Sequence, residues 1–381
     1  MEVVFLLGSV QALFLAILVF NKKHKSTGDY VLGIWLVFIG LHLLNHYLFT
    51  TGFLYRHPHL LGIGTPFPLL EGPFMFVYVL VTISKRGRFR PVYLLHGIPF
   101  LLFTVYYIFE FYILSPAEKV AFYEQLYIKI PLELYIVTLP MIFLGPFYLV
   151  WSLIKLRRHS KEIEKNFSYT ETISLRWLRN VLIFIGFVWV TGILANIFVK
   201  FPFLSVTMHE HLQYLALTIA VFFLGYFGIR QQAIYRSDPV IVKDPVKPGQ
   251  KKKSVKEQYL HSGLKKADAE KYSASLLKYF KNERPFLNGK LSLNKVAARL
   301  EITPNHLSQV INEQLGMSFF DFVNSYRVEE FKSRLTSNED NQFTLLGIAF
   351  ECGFNSKSSF NTIFKKFTGA TPSQFAQQLV R

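Results

Sequence analysis

Two stretches decide the fold: LSLNKVAARLEITPNHLSQVINEQLGMSFFDFVNSYRVEE (residues 291–330) and TLLGIAFECGFNSKSSFNTIFKKFTGATPSQF (residues 344–375). In the first, Leu293, Val296, Ala297 and Leu300 recur at helical spacing. Thr303-Pro304 then reopens a helix, because threonine caps orphan amides and proline loses nothing at the first helical position. That helix keeps Leu307, Val310 and Ile311 on its apolar side, which turns Asn305, His306, Ser308, Gln309 and Asn312 outward. The second stretch repeats the plan. Leu345, Ile348, Ala349 and Cys352 line a short helix, Gly353 permits a turn at positive φ, and Ser356 caps a helix whose core side is Ser359, Phe360, Ile363, Phe364 and Phe367. Lys357, Ser358, Asn361 and Thr362 form its exposed set, and Ala297 and Ala349 occupy equivalent points where a small side chain lets two helices cross closely.

An ordered pair of such units, joined by one long helix from Phe319 to Leu335 and closed by Gly369-Ala370-Thr371-Pro372, resembles the DNA-binding domain of the AraC family of bacterial transcription regulators. The resemblance covers roughly the last quarter of the chain and implies that Pro304–Gln314 and Lys357–Thr368 are recognition helices entering the major groove on one face of a duplex. A linker helix of that length spans roughly 25 Å, enough to set two readers near one DNA turn (about 34 Å) apart. The family usually has glycine where this chain has Glu301, so a left-handed residue there costs on the order of 1 kcal/mol. By the resemblance, Asn305, Ser308 and Gln309 in the first helix and Lys357, Ser358, Asn361 and Thr362 in the second occupy base-facing positions. Thr303, Ser356, Lys365 and Lys366 read as phosphate contacts. Gln309 and Asn361 stand out because an amide pairs bidentately with adenine.

Composition bounds the rest. With 51% hydrophobic, 17% aromatic and only 18% charged residues, the 381-residue chain is too apolar for two or three soluble domains, so part of it belongs in a membrane. Its net charge of +17 is uneven. Residues 1–229 hold 18 Lys+Arg against 11 Asp+Glu, whereas residues 230–381 hold 24 against 14, so the shorter part is the more basic, as a nucleic-acid partner requires. The single cysteine, Cys352, excludes an intramolecular disulfide and reads as core.

Apolar runs at about 3–20, 31–50, 67–84, 92–114, 132–154, 178–199 and 212–229 each approach the ~20 residues a membrane-crossing helix needs, which makes seven. Residues 3–20 follow Glu2 and precede Lys22, Lys23 and Lys25, so they read as a retained span rather than a cleaved signal. Pro66, Pro68 and Pro73 interrupt the start of the third. Loops 21–30, 85–90 and 155–180 carry 3, 4 and 7 Lys/Arg, against 1, 2 and 1 in segments 51–66, 115–131 and 200–211. The positive-inside rule then puts the N-terminus outside and the C-terminus in the cytoplasm of the inner membrane, and an odd number of spans leaves the C-terminal domain on the side of the DNA.

Within the membrane part, Leu69-Leu70-Glu71-Gly72-Pro73-Phe74, Trp177-Leu178-Arg179 and the layout of spans resemble the seven-helix sensor region fused to AraC-type domains in some regulators. Intramembrane polar groups are costly and suggest a site, which singles out Glu71, His42 and His46; Glu71 and Glu133 fall near membrane ends, and His42, Asn45 and His46 lie within the second span. They read either as helix-packing hydrogen bonds or as part of a ligand pocket; a metal would need a third ligand that the sequence does not place. The 39 Phe and 20 Tyr are accounted for by lipid-facing and interfacial surface. A retinal Schiff base is excluded because residues 212–229 contain no lysine, and no phosphate loop, nucleophile triad or HExxH supports an enzyme or a cofactor.

Asp238-Pro239, Asp244-Pro245, Lys247-Pro248-Gly249 and Lys251-Lys252-Lys253 read as a basic linker, near either lipid headgroups or DNA phosphates. Beyond it, Ala267 opens a helix with Tyr272, Leu276, Leu277 and Phe280 as its apolar side, and Tyr259-Leu260-His261-Ser262-Gly263-Leu264 reads as a connector. The expected architecture is all-α: a seven-helix transmembrane domain at 1–229, a connector at 230–270, and an AraC-type domain at 271–381 with helix-turn-helix units at about 291–315 and 343–368. The expected partners are double-stranded DNA, bound as a homodimer, the lipid bilayer, and a small-molecule or envelope signal. The competing readings are a transporter whose appended domain regulates its own gene, for which repeated halves with charged or unwound mid-membrane positions are not visible, and a membrane part that is only an anchor.

Overall fold

The computed structural model describes residues 2–84, 87–128, 132–169, 175–197, 206–230, 264–336 and 344–379. The chain divides into two compact units, one of Met1–Arg157 with Leu175–Ala233 and one of Arg158–Ser174 with Ile234–Arg381. The division is discontinuous in sequence: residues 158–174, expected as a loop of the membrane part, belong with the C-terminal unit. The expected basic linker and the connector up to Gly263 lie outside the described residues. Among the described residues every regular element is helical, apart from one isolated antiparallel bridge between Phe167 and Ser292.

The N-terminal unit runs through α1 (Glu2–Phe20), α2 (Thr27–Thr50), α3 (Phe53–Arg56), α4 (Pro68–Thr82), α5 (Ile98–Tyr107), α6 (Pro116–Ile128), most of α7 (Leu132–Asn166), α8 (Arg176–Ile197) and α9 (Val206–Arg230). A 3₁₀ turn at Pro91–Gly97 and a π turn at Ile108–Tyr112 extend α5 into one apolar stretch. Five described stretches are long and apolar enough to cross a bilayer: Glu2–Phe20, Thr27–Thr50, Pro91–Tyr112, Leu139–Asn166 and His211–Ile229. They coincide with five of the seven expected spans. The expected third falls on α4, which has only 15 residues because Pro68 starts it late, and the expected sixth falls on α8, many of whose C-terminal side chains lie outside the described residues.

Small residues set the helix crossings. The Ser9 hydroxyl donates to the Gly40 carbonyl at 2.8 Å where α1 meets α2, and a side chain at Gly40 would press on the Ser9 carbonyl and on Leu13. Close backbone approach and a polar bond between apolar faces hold the two helices together. At one end, Ser26 and Asp29 form a capping box on α2, while Lys22 reaches both Asp29 (2.5 Å) and the Gly228 carbonyl in the last turn of α9 (2.9 Å). A cation there meets the negative end of a helix dipole. Leu7, Phe14, Leu94, Leu102, Phe109, Phe143 and Phe187 stand more than half exposed on the outside of this unit. So much bare apolar area is not a stable surface against water.

The C-terminal unit contains α10 (Lys266–Glu283), α11 (Leu293–Arg299), α12 (Pro304–Gln314), α13 (Phe319–Thr336), α14 (Leu345–Glu351), α15 (Lys357–Thr368) and α16 (Pro372–Leu379). Helix α13 is the axle. Its N-terminal half gives Phe319, Phe322 and Val323 to a core with Leu276 and Phe280 of α10, Val296 and Ala297 of α11, and Leu307 and Ile311 of α12. Its C-terminal half gives Val328 and Phe331 to a second core with Ile348, Ala349, Cys352, Phe360, Ile363 and Phe364. Eighteen residues at 1.5 Å each make α13 about 27 Å long, so it spaces the two units as a rigid bar. Helix α10 departs from expectation by one position: Leu276 and Phe280 are buried but Leu277 faces out, with Tyr279 packed on the core instead. Cys352 is wholly buried, and burial pushes its thiol up to about 12, so it acts as a small hydrophobe.

Candidate nucleic-acid interface and a polar cavity

Each helix-turn-helix unit is set by local chemistry. The Thr303 hydroxyl accepts from the His306 amide (3.2 Å) and starts α12; the Ser356 hydroxyl accepts from the Ser359 amide (3.2 Å) and starts α15. The turn before α12 places Glu301 at φ +56°, the left-handed position expected from the missing glycine, and the turn before α15 uses Gly353 at φ +90°. At Gly353 a Cβ would also lie 2.5 Å from the Phe286 carbonyl oxygen, so that turn needs glycine for space as well as for φ.

The second reading helix presents the surface the sequence predicts. Lys357, Ser358, Asn361, Thr362, Lys365 and Lys366 are all exposed, opposite a buried stripe of Phe360, Ile363 and Phe364. Lys366 is paired with Asp321 of α13 at 2.5 Å, so it would have to share itself between that carboxylate and a phosphate. The first reading helix differs. Asn305 is exposed and Ser308 half-buried, but Gln309 is only 7% exposed and its amide donates to Glu313 at 3.0 Å. The expectation that Gln309 faces outward is therefore corrected: the position falls between the buried stripe of Leu307, Val310 and Ile311 and the polar face, and the side chain turns along the helix.

Two buried polar residues were not singled out from the sequence. Asn324 is 0% and Arg327 1% exposed, one turn apart on α13. The signal available was a polar pair at i and i+3 directly flanked by the core residues Val323 and Val328. Near the second unit, Glu330 lies between Arg284 and Arg334 (2.7 Å), and Arg334 also reaches Glu351 at 2.6 Å. Burial alone would raise the Glu330 carboxyl, but the hydrogen bonds and charges of the two arginines outweigh it and hold it below the ordinary value.

In the N-terminal unit, the three residues singled out there come together. His42 Nδ1 lies 2.8 Å from Glu71 Oε1 and its Nε2 lies 3.1 Å from the Tyr214 hydroxyl, while the His46 ring stacks on Tyr214 at 3.5 Å between centroids. A neutral imidazole donating from Nδ1 and accepting at Nε2 satisfies both contacts. His42, Glu71 and Tyr214 form the polar end of a cavity of about 260 Å³ whose walls include Met141 and Ile142 of α7 and Trp189 of α8. Among the described residues no group of three or more His, Cys, Asp or Glu could hold a metal ion.

Two spaced, capped helix-turn-helix units on one linker helix, with a basic polar face on the second, define a double helix-turn-helix DNA-binding domain. Residues 296–378 match the model of a family described as "Helix-turn-helix domain", of the AraC type. An uncharacterised HTH-type transcriptional regulator of Staphylococcus aureus (strain COL) is 38% identical over 85 residues, covering 22% of this chain and 11% of that protein. The uncharacterised HTH-type transcriptional regulator YtdP of Bacillus subtilis (strain 168) is 34% identical over 88 residues, 23% of this chain and 11% of its own length. The chain thus spans about a tenth of the length of these relatives. No solved structure matches the chain.

Proposed function

We propose that the chain is a membrane-bound, sequence-specific transcription regulator, in which an N-terminal helical unit crosses the inner membrane seven times and senses a signal, and the C-terminal unit binds double-stranded DNA as a homodimer from the cytoplasm. The observation that carries the DNA-binding part is the exposed face of α15, where three lysines and three short polar side chains stand on a rigid, capped helix. Lysines and helix N-termini would supply affinity through phosphates, and Asn361, Ser358, Thr362 and Lys357 would supply preference for particular bases. Membrane residence is supported by the five apolar stretches and the bare apolar exterior, and the inward placement of the C-terminus by the lysine and arginine bias of loops 21–30, 85–90 and 155–180. The cavity headed by Glu71, His42 and Tyr214 supports sensing, because a pocket that is mostly apolar with a few convergent polar groups is the ordinary form of a small-molecule site.

The test uses the full chain. Genome-wide crosslinking of the intact protein should recover a defined set of sites, and Asn361→Ala should lose or blur one base preference within them. A reporter fused after Arg381 should be active in the cytoplasm. Occupancy indifferent to sequence, or a reporter active only outside, sinks the proposal.

A further inference from the structure

The C-terminal unit completes its interior with a segment from much earlier in the chain. Arg327 is 1% exposed and has five N–H donors to place. Nε donates to the Phe286 carbonyl (2.8 Å), Nη1 to the Asn324 side chain (3.1 Å) and the Ser168 carbonyl (3.1 Å), and Nη2 to the Asn288 carbonyl (2.9 Å) and the Ser168 hydroxyl (3.2 Å). Two of those five bonds therefore go to a residue 159 positions earlier, from the loop that joins two apolar helices. Asn324 donates to the same Ser168 carbonyl at 3.2 Å. Ser168 in turn gives its amide (3.2 Å) and its hydroxyl (2.7 Å) to the Leu291 carbonyl, and Phe167 bridges Ser292 in antiparallel register. Ser168 is 1% exposed, and Phe167 packs on Ile163 and Tyr169. Every polar atom of one serine is thus used by the start of the first helix-turn-helix unit and the middle of the linker helix.

We infer that residues 166–169 are an internal docking peptide for the DNA-binding domain, seated in a polar slot built by Asn324 and Arg327 of α13 and the Leu291–Ser292 backbone. The occupant is this chain's own loop, so the domain is held at two points, by the chain that follows α9 and by this peptide. Docking at this slot bears on the two readers together, because Asn324 and Arg327 lie where α13 passes from the first core to the second, and Leu291–Ser292 leads directly into α11. The peptide is carried on the end of α7, the same 35-residue helix that contributes Met141 and Ile142 to the wall of the polar cavity. A helix continuous from the cavity wall to the peptide would couple the two if docked and undocked peptide are two states that the cavity biases. That last step rests on the sensing role proposed above; the docking itself does not.

Partners across an antiparallel bridge have Cα atoms about 4.5–5.5 Å apart, within the range a disulfide spans. In the full-length protein in native membranes, Phe167→Cys combined with Ser292→Cys should therefore crosslink under a mild copper–phenanthroline oxidant, with a protease site placed within residues 240–250 to report it. After cleavage, more than half of the two fragments should stay joined until reductant is added, each variant carrying only one of the two added cysteines should stay unjoined because Cys352 is buried, and adding Ser168→Pro should lower the joined fraction at least fivefold. Fragments that part without reductant, from protein whose C-terminal unit keeps its resistance to trypsin, overturn the docking, as does indifference to Ser168→Pro. In the wild-type chain, hydrogen exchange gives a second reading that needs no substitution: the Ser168 amide should be protected to the degree of the α13 amides, and exchange at the rate of an open loop overturns the proposal. If the trap closes while oxidised and reduced protein occupy DNA equally, the docking stands and the sensing role falls.

Discussion

The two helix-turn-helix units share a plan and differ in what they show to solvent. Helix α12 carries no lysine or arginine, holds Gln309 against Glu313, and follows a turn strained at Glu301; helix α15 carries three lysines, exposes its whole polar face, and follows a glycine turn. Both rest on α13, so the same scaffold carries one helix whose polar face is partly engaged and another whose polar face is open. What a recognition helix can contact is thus decided less by its place in the motif than by which side chains its own neighbours have already engaged.

The largest effect is expected at the shared axle: Phe331→Ala empties the centre of the second core and should cost about 3–5 kcal/mol in thermal or denaturant unfolding. If α13 is a single bar, the first unit should melt with the second; a first unit that stays folded alone would split the domain in two. Next, Asn361→Ala should cost about 1–3 kcal/mol at one base pair in binding assays. Gln309→Ala should cost less than about 1 kcal/mol, because its amide must leave Glu313 before it can reach a base. Equal penalties would erase the asymmetry. Lys365→Ala should weaken binding to all sequences alike and reduce the slope of log K against log salt by roughly 0.9, with Lys366→Ala giving less because Asp321 competes for it.

The strained turn offers a smaller test of opposite sign. Glu301→Gly should stabilise the domain by up to about 1 kcal/mol, whereas Gly353→Ala should destabilise it by more than that, since a Cβ there meets the Phe286 carbonyl as well as an unfavourable φ. The smallest effect concerns acid. Glu330 is held below its ordinary range, so its contribution is complete above the unfolded value of about 4.3 and is lost as pH falls through the lower folded value. Because Arg284 and Arg334 are partly exposed, the loss should stay under about 1 kcal/mol, and Glu330→Gln should remove that part of the pH dependence from unfolding curves.

Much of the C-terminal unit was legible before any coordinates. Both reading helices begin where Thr303-Pro304 and Ser356 place them, and the second ends at the left-handed Gly369, since capping and left-handed turns are settled within a few residues. The same reading placed the polar face of α15 correctly, but it counted Phe367 as core although that ring is 38% exposed, and it turned Gln309 outward although it is buried, because a boundary position on a helix is turned in or out by partners that periodicity does not name. In the N-terminal unit, hydropathy located five apolar stretches, yet length alone could not show that Glu71, His42 and Tyr214 meet at one cavity, with Tyr214 172 positions from His42.

The order of residues sets where the capped helices start and which central stripe of each is apolar, because those outcomes depend on interactions spanning a turn or two of chain. Where the buried donors of Arg327 and Asn324 go is settled by the folded interior alone. A buried guanidinium must be satisfied, but nothing local selects Ser168 as the residue that does it; that choice is made when distant segments fold into the same interior.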